Sequence, residues 1–324
     1  MREMTCGEAI RDSIYYALKN NPNVFVMGEG VDDPKGIEGT VLGLHEQFGG
    51  ERVIDLPLAE NGCMGIAIGS SLVGMIPIVI HQRMDFLLLA MDQILNHAAK
   101  WNYMFGGHQS VPIVIKCTVG QGWGQGPTHS QSLQALFSHL PGIKVVMPSN
   151  PYDAKGLFNT SIEDPNPVVF IENYLCFSTK GDVPLENYTI NLGEGKIVKN
   201  GSDITIVTCG YLVNEALAAA TLVTEKGINV EVLDLRSICP LDEDLILKSV
   251  AKTRRLIIAD PGHKTNGLSA EICAIVSENI QDKLLSNIIR ITFPDAPTPA
   301  SSALEKYYYP MRNDIVDAVM KGIC

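Results

Sequence analysis

The feature that most constrains the fold is an alternation of short, apolar, β-branched runs with segments of helix length. In the first part of the chain these runs occupy residues 24–27, 76–80, 112–117, 143–147 and 168–171. A second series occupies residues 204–208, 229–233, 256–259 and 288–293. Such alternation is typical of parallel sheets that are covered by helices. We therefore predict an α/β protein with a parallel sheet in each of two domains.

The boundary between the two series is a polar, turn-rich stretch without helical periodicity, from residue 178 to residue 203. We predict a first domain at 1–185, a linker at 186–202 and a smaller α/β domain at 203–324. A length of 324 residues suits this division, because domains usually contain about 100–200 residues.

Capping signals predict where several helices begin. Thr5 and Glu8 have the spacing of a capping box, which predicts that the chain opens with an amphipathic helix. Asn150 followed by Pro151 predicts another helix start, since proline is favoured at the first helical position. Further helices are expected at 213–226 and after Asp242 and Gly267.

Composition excludes two classes of partner. The formal net charge of -11 leaves no basic patch for nucleic acid or for an anionic membrane surface. Residues 61–80 are uncharged and contain Gly65 and Gly69 in a G-x-x-x-G pair, as some membrane spans do. Gly74 and Pro77 interrupt that run, so we predict a buried helix followed by a strand and no membrane association.

The cysteines and the N-terminus predict a reducing location. The eight cysteines form no C-x-x-C pair and no cluster at metal-ligand spacing, which is typical of buried free thiols. The first residues lack the apolar core of a signal peptide. We expect a cytoplasmic protein, or one of the mitochondrial or plastid matrix if a transit peptide has been removed.

Two segments carry residues suited to chemistry. Glu60 precedes a helix that is rich in small residues, although a glutamate at a helix start also serves simply to complement the helix dipole. Residues 118–131 form a loop with glycines at 120, 122, 124 and 126, at neither the dinucleotide nor the P-loop spacing, and it contains His129. A loop this rich in glycine after a strand favours an active-site role for His129 over a structural one.

A family resemblance rests on several motifs in a fixed order along most of the chain. The motifs are VFVMGEGVDD, ERVIDLPLAENGCMGIAIGSSLVGMIPIV, DQILNHAAKW, the glycine loop ending in HSQS, GIKVVMPSNPYDAKGLF, EDPNPVV, VLDLRSICPLD and GLSAEI. In this order they resemble the beta subunit of the decarboxylating component of 2-oxo acid dehydrogenases of the pyruvate, branched-chain or acetoin type. The resemblance implies a transketolase-like, thiamine diphosphate (pyrimidine)-binding domain followed by a transketolase C-terminal-like domain.

The resemblance also implies roles for four residues. Glu60 is expected to hydrogen-bond the aminopyrimidine of thiamine diphosphate and to assist its activation. Phe86 is expected to pack on the pyrimidine ring, although core filling is the alternative for this aromatic residue. His129 is expected to face the reacting centre, and Glu29 to lie near the same cofactor.

A monovalent cation, K⁺, is a further implication of the resemblance. Its expected ligands are backbone carbonyls at Ile113, Ser161, Asp164 and Asn166. The sequence Asp164-Pro-Asn166-Pro also favours a simple turn, so both interpretations stay open.

The resemblance implies a partner subunit as well. In this family a Gly-Asp-Gly motif on the alpha-type subunit holds Mg²⁺ and the diphosphate, and the sequence contains no such motif. We therefore expect an α₂β₂ enzyme that is active only with an alpha-type subunit and that transfers an acyl group to a lipoyl-bearing acyltransferase. Two alternatives stay open: half of a split transketolase-like ketol transferase, and a noncatalytic scaffold subunit.

Departures from the family pattern concern the substrate. Arg83, in the stretch before Phe86, is a candidate for binding an anionic or phosphorylated substrate, with a solvated or salt-bridged arginine as the alternative. Thr128 replaces an aromatic or small residue before His129, and Trp123 and Gln125 enlarge and polarise the glycine-rich loop.

Overall fold

The computed structural model describes residues 1–33, 36, 39–121 and 124–323. They form two compact units. Unit 1 comprises residues 1–120 and 136–192, and unit 2 comprises residues 121–135 and 193–324. The segment 121–135 therefore belongs by its contacts to unit 2, although in the chain it lies inside the predicted first domain.

The strands of unit 1 are mostly short and apolar. They are β1 (Arg2–Thr5), β2 (Val24–Gly28), β3 (Val53–Asp55), β4 (Ile76–His81), β5 (Val114–Val119), β6 (Lys144–Val146), β7 (Val168–Asn173) and β8 (Lys180–Val183). Six of them lie side by side in the order β6-β7-β5-β4-β2-β3, and each neighbouring pair is parallel. Because parallel strands point the same way, their carboxyl ends collect at one edge of this sheet.

Helices connect these strands. They are α1 (Cys6–Asn20), α2 (Leu44–Phe48), α3 (Glu60–Ser71), α4 (Met84–Leu87), α5 (Ala99–Met104), α6 (Gln134–Ser138) and α7 (Pro151–Glu163). Three 3₁₀ turns occupy Leu88–Ala90, Gly126–Thr128 and Tyr174–Cys176, and a π-helical turn occupies Gln93–Ala98. α3 packs against β4 and against the turns at 88–90 and 93–98. The small residues of α3 suit this close packing.

Unit 2 has a second sheet, built from the later series of apolar runs. Its strands are β9 (Lys196–Lys199), β10 (Ile204–Thr208), β11 (Val230–Asp234), β13 (Leu256–His263) and β14 (Ile289–Phe293), in the order β14-β13-β10-β11-β9. Only β9 is antiparallel to its neighbour. The short strand β12 comprises Ser237–Cys239.

The helices of unit 2 follow its strands in the chain. They are α8 (Tyr211–Thr224), α9 (Glu243–Thr253), α10 (Leu268–Ile280), α11 (Ser302–Tyr308) and α12 (Arg312–Ile323), with a 3₁₀ turn at Gln281–Lys283. α8 packs against β11 and α12, so its apolar residues are buried between a strand and another helix.

The predicted α/β class with parallel sheets is confirmed. The predicted caps are confirmed as well. Thr5 and Glu8 form the reciprocal capping box at the start of α1, and the Asn150 side chain accepts a hydrogen bond from the Asp153 N–H at the start of α7. These local signals succeed because the groups that they satisfy lie within one helical turn.

Two features differ from the prediction. The chain opens with β1 rather than with a helix, because Arg2–Thr5 pairs with Lys180–Val183 in an antiparallel ribbon. The segment predicted as a linker (186–202) contains β9, which forms the edge of the second sheet. Both strands are polar, so neither produces the apolar run from which strands are predicted.

Among the described residues, no helix is long and apolar enough to cross a membrane. The seven cysteines in the described ranges carry free thiols, five of them buried, and the eighth, Cys324, lies outside those ranges. Burial raises the pKa of the Cys6 thiol to about 12, so this thiol is unreactive at neutral pH.

Candidate active site

An acidic cluster lies at the carboxyl edge of the unit 1 sheet. Glu29 directly follows β2, Asp55 ends the neighbouring strand β3, and Glu60 is the first residue of α3. Gly28 and Asp55 are register partners, so the ends of β2 and β3 meet at this edge. The predicted site residues Glu29 and Glu60 are therefore brought together, with Asp55 beside them.

Hydrogen bonds and close packing hold the loop that carries Glu29. The Gly30 N–H donates to Asp55 Oδ1 at 2.6 Å, and Gln82 Nε2 donates to the Glu29 carbonyl at 3.3 Å. A Cβ at Gly28 would lie 2.4 Å from the Ile80 carbonyl oxygen, so only glycine allows β2 and β4 to approach here. The Glu29 backbone is thus fixed from two neighbouring strands.

The electrostatics of the cluster raise the pKa of Glu29. Partial burial, and then the charges of Glu60 and Asp55, raise the pKa of the Glu29 carboxyl. Burial, and then the charges of Glu29 and Glu60, raise the pKa of the Cys63 thiol on α3. Like charges that share one edge disfavour simultaneous ionisation, so the cluster can hold a proton more readily than isolated carboxylates do.

Phe86 lies on α4, directly after β4. Its N–H donates to the Arg83 carbonyl at 3.2 Å, and its side chain is half-buried. The 3₁₀ turn that follows α4 packs against α3, the helix that begins at Glu60. Phe86 is therefore on the same edge of the sheet as the acidic cluster, with part of its ring accessible.

His129 lies in unit 2, in the segment 121–135. The ring is half-buried, and Nδ1 is 2.8 Å from the Thr128 hydroxyl oxygen. This contact restrains the ring, and the hydroxyl can either donate to Nδ1 or accept from it. Two positions of the glycine-rich loop, Gly122 and Trp123, lie outside the described residues.

Three contacts fasten the segment 121–135 within unit 2. Gln121 Nε2 donates to Glu305 Oε2 at 2.9 Å, and Gln134 Nε2 donates to the Pro261 carbonyl at 2.8 Å. Gly124 has a φ of +70°, and a Cβ there would lie 2.9 Å from the Ala300 carbonyl oxygen. The segment that carries His129 is therefore held at both ends and at Gly124.

The four residues expected around a monovalent cation lie directly before β5, on α7 and in the turn after α7. The Ile113 carbonyl accepts the Val168 N–H at 3.0 Å, and the Ser161 hydroxyl donates to the Leu157 carbonyl at 2.7 Å. Asp164 accepts the Asn166 N–H at 3.0 Å and pairs with Lys144. The hydrogen bond from the Asn166 N–H to the Asp164 side chain is typical of a turn, as the turn interpretation predicts. The cation site stays a prediction.

The prediction from sequence missed residues that support the site. Asp55 and Gln82 fix the Glu29 loop, and Gln121 and Gln134 fasten the His129 segment. Only Asp55 carried a signal, as a carboxylate at the end of a β-branched run. A glutamine gives no such signal, because its partners here are backbone or distant side chains.

In the described part of the chain, no group of three or more His, Cys, Asp or Glu side chains is placed to hold a metal ion. Of the carboxylates in the acidic cluster, Asp55 already accepts a hydrogen bond from the Gly30 N–H.

Comparisons with known proteins agree with this architecture. Residues 2–175 match the model of the transketolase pyrimidine-binding domain, and residues 193–315 match the transketolase C-terminal domain. A solved split-gene transketolase, described as an inactive beta4 tetramer, superposes with a TM-score of 0.80 at 24% identity and covers 99% of this chain and 98% of that one. At this identity, the likeness concerns the fold alone.

Curated relatives are similar over nearly the whole chain. The beta subunit of acetoin:2,6-dichlorophenolindophenol oxidoreductase from Bacillus subtilis is 41% identical over 99% of this chain and 97% of its own length. The pyruvate dehydrogenase E1 component subunit beta from Rickettsia felis is 41% identical over 98% of both chains. The 2-oxoisovalerate dehydrogenase subunit beta from Bacillus subtilis is 38% identical over 100% of this chain and 99% of its own. The chain therefore belongs to the transketolase-related family of dehydrogenase beta subunits that includes those of pyruvate, 2-oxoisovalerate and acetoin enzymes.

Proposed function

We propose that this chain is the beta-type subunit of a thiamine diphosphate-dependent 2-oxo acid dehydrogenase. The observation that carries the proposal is the acidic cluster, in which Glu60 begins α3 at the carboxyl edge of the sheet with Glu29 beside it. The proposal places the Mg²⁺ and diphosphate ligands on an alpha-type subunit in an α₂β₂ enzyme. A lipoyl-bearing acyltransferase would accept the product, and K⁺ at the carbonyls of 113, 161, 164 and 166 is part of the same proposal.

The residues present fit the aminopyrimidine half of the cofactor. Glu60 offers a partly exposed carboxylate that can accept a hydrogen bond from a ring nitrogen, and Phe86 offers a half-buried aromatic face. When bound, thiamine diphosphate supplies the electron sink that decarboxylation of a 2-oxo acid requires.

Each residue then has a defined task. Glu60 would orient the aminopyrimidine and hold a proton at that ring nitrogen. Glu29, whose pKa is raised by burial and by Glu60 and Asp55, would exchange a proton with the same site. His129, with Nδ1 engaged by Thr128, would direct Nε2 toward the substrate and stabilise developing charge.

A second candidate function is the oxidative cleavage of acetoin. It is favoured by relatives in Bacillus subtilis and Cupriavidus necator whose names specify an acetoin oxidoreductase, at 41% and 39% identity. Acetoin is neutral, whereas a 2-oxo acid is an anion, so a substrate panel separates the two functions. A ketol transferase is less well supported, because Leu-Ala-Glu60-Asn61 replaces the Arg-Glu-His stretch typical of those enzymes.

The decisive experiment replaces Glu60 by Gln in the chain co-expressed with an alpha-type subunit. We expect kcat to fall on the order of 100-fold or more, because a positioned acid or base contributes about 10²–10⁴-fold. Folding and assembly should be preserved, since Gln has the same shape. Turnover of 2-oxo acids and of acetoin is followed with an artificial electron acceptor, and cofactor binding by calorimetric titration.

The matched control is Glu51→Gln, at an exposed position outside the cluster. This variant should retain the activity of the parent enzyme. Near-parental turnover in Glu60→Gln would refute the role of Glu60. Failure of the pair to bind thiamine diphosphate with Mg²⁺ would instead favour a noncatalytic scaffold.

A further inference from the structure

Arg83 is a buried arginine without a carboxylate partner among the described residues. It follows β4 directly and is 4% exposed. Its Nη1 atom is fully buried and has no hydrogen-bond partner in the described part of the chain. The guanidinium lies over the Tyr174 ring, whose centroid is 5.7 Å from Cζ. A buried charge is costly unless it is paired, so proteins keep such arginines where a counter-ion binds.

The position of Arg83 places it beside the candidate site. β4 lies next to β2 in the sheet, and the adjacent residue Gln82 donates to the Glu29 carbonyl at 3.3 Å. Arg83 also precedes Phe86 in the turn that starts α4. The guanidinium therefore belongs to the same edge of unit 1 as Glu29 and Phe86.

Within the described residues, no carboxylate of the acidic cluster is hydrogen-bonded to the buried Arg83 Nη1. An arginine in contact with a carboxylate lowers the pKa of that carboxylate. Burial and the charges of Glu60 and Asp55 instead raise the pKa of Glu29. Arg83 therefore does not contribute to the pKa of Glu29, and an anionic ligand is a fitting counter-ion for its buried guanidinium.

We propose that Arg83 binds an anionic group of the substrate, a carboxylate or a phosphate, at the end remote from the reacting carbonyl. The proposal rests on the proposed function and defines the substrate class of that site. Guanidinium is planar and pairs with both groups through two parallel hydrogen bonds, while the Tyr174 ring limits its rotation. The 2-carboxylate of the substrate, which is released as CO₂, is a less suitable partner for Arg83. A strong ion pair with that carboxylate would be lost in the transition state, and its loss would slow decarboxylation.

The test compares three 2-oxo acids in the co-expressed enzyme: 2-oxovalerate with a neutral tail, 2-oxoglutarate with a carboxylate tail, and phosphohydroxypyruvate with a phosphate tail. The variants are Arg83→Met, which keeps the length, and Arg83→Lys, which keeps the charge without the planar fork. We expect Arg83→Met to lower the ratio of kcat/KM for an anionic over the neutral substrate at least tenfold, mainly through KM. The ratio for Arg83→Lys should lie between those of the parent enzyme and Arg83→Met. The anionic substrate whose kcat/KM falls most shows whether Arg83 binds a carboxylate or a phosphate.

The control is Arg290→Met, because Arg290 contacts the Lys264 carbonyl in unit 2. It should leave the substrate ratio as in the parent enzyme. A ratio that is equal in the parent and in Arg83→Met would overturn the proposal while leaving the proposed function intact. Weaker subunit assembly of Arg83→Met, seen by size-exclusion chromatography, together with a parental ratio in the assembled fraction, would also overturn it and would indicate a counter-ion on the alpha-type subunit.

A binding measurement separates this proposal from the proposed function. 2-Oxoglutarate and inorganic phosphate are titrated calorimetrically into the co-expressed parent enzyme and the Arg83→Met variant. Binding that depends on Arg83 without turnover of any 2-oxo acid would support the anion site and refute the dehydrogenase activity. Turnover of 2-oxovalerate without Arg83-dependent binding of either anion would support the dehydrogenase activity and refute the anion site.

Discussion

A buried ion pair crosses the centre of the unit 1 sheet. Lys116 on β5 is 0% exposed and pairs with Glu172 on β7, which is 3% exposed. The Lys116 ammonium also lies 3.4 Å from the Thr40 hydroxyl oxygen. Glu172 contributes, after burial, to the raised pKa of Cys6. The pair therefore links two strands and one loop through charge rather than through apolar packing.

Replacing Lys116 by Met should destabilise the protein by about 3–5 kcal/mol, because it leaves the Glu172 charge buried without its partner. The double variant Lys116→Met with Glu172→Gln should recover part of this loss. The measurement is the free energy of unfolding from urea titration. Lys180→Met is the control: Lys180 pairs with Glu3 on the surface at 3.5 Å, and such pairs contribute about 0–1 kcal/mol. Equal losses in both single variants would contradict the prediction.

This pair also shows what the sequence could not reveal. The run at 112–117 predicts a buried strand correctly, yet it contains a lysine whose partner lies on another strand far along the chain. Burial of the lysine is decided by that distant glutamate and not by local pattern. In contrast, the sequence offers Glu60 and His129 as candidates, because each stands next to a local signal: the small-residue helix in one case and the glycine-rich loop in the other.

The contacts of the segment 121–135 also could not be predicted from local sequence. Its glycines predict a loop with unusual backbone angles, and the φ of +70° at Gly124 agrees with that expectation. Its anchors, Glu305, Ala300 and Pro261, lie far along the chain. The strands β1 and β8 were likewise missed because their pairing joins distant polar segments.

Replacing Gln134 by Ala should loosen the His129 segment. The substitution removes the hydrogen bond to the Pro261 carbonyl and costs about 1 kcal/mol of local opening free energy, which is roughly a five-fold faster amide exchange. Hydrogen exchange measured by mass spectrometry over residues 124–135 checks this. Gln109→Ala removes an exposed bond from Trp101 in unit 1 and serves as the control. Unchanged exchange in Gln134→Ala would show that Gly124 and Gln121 suffice to hold the segment.

The response of the whole protein to pH should include a contribution from Asp260 in unit 2. Burial raises the pKa of this carboxyl to about 6, although the Ser269 N–H donates to it at 2.9 Å. The folded state then binds more protons than the unfolded state between the ordinary aspartate pKa and about 6. Stability therefore falls as pH rises through this window.

Asp260→Asn should remove that pH dependence, because Asn does not ionise and still offers an oxygen to the Ser269 N–H. Relative to the variant, the parent protein should lose up to about 3 kcal/mol between pH 4 and pH 7, given about 1.4 kcal/mol per unit of pKa shift. Urea unfolding at several pH values measures the difference. Asp295→Asn, an exposed carboxylate that bonds Thr265, is the control. Parallel pH profiles for the parent and Asp260→Asn would refute the prediction.

The way unit 2 incorporates residues 121–135 limits how this chain can be recombined. A chimera that exchanges residues 193–324 for those of a relative would keep the native Gln121, Gly124 and Gln134 but replace all of their anchors. The segment 121–135 and the residues that hold it therefore have to come from the same parent protein, although they lie far apart in the chain. Engineered hybrids should transplant 121–135 along with the C-terminal residues. Substitutions in one part are expected to be accompanied by compensating substitutions in the other.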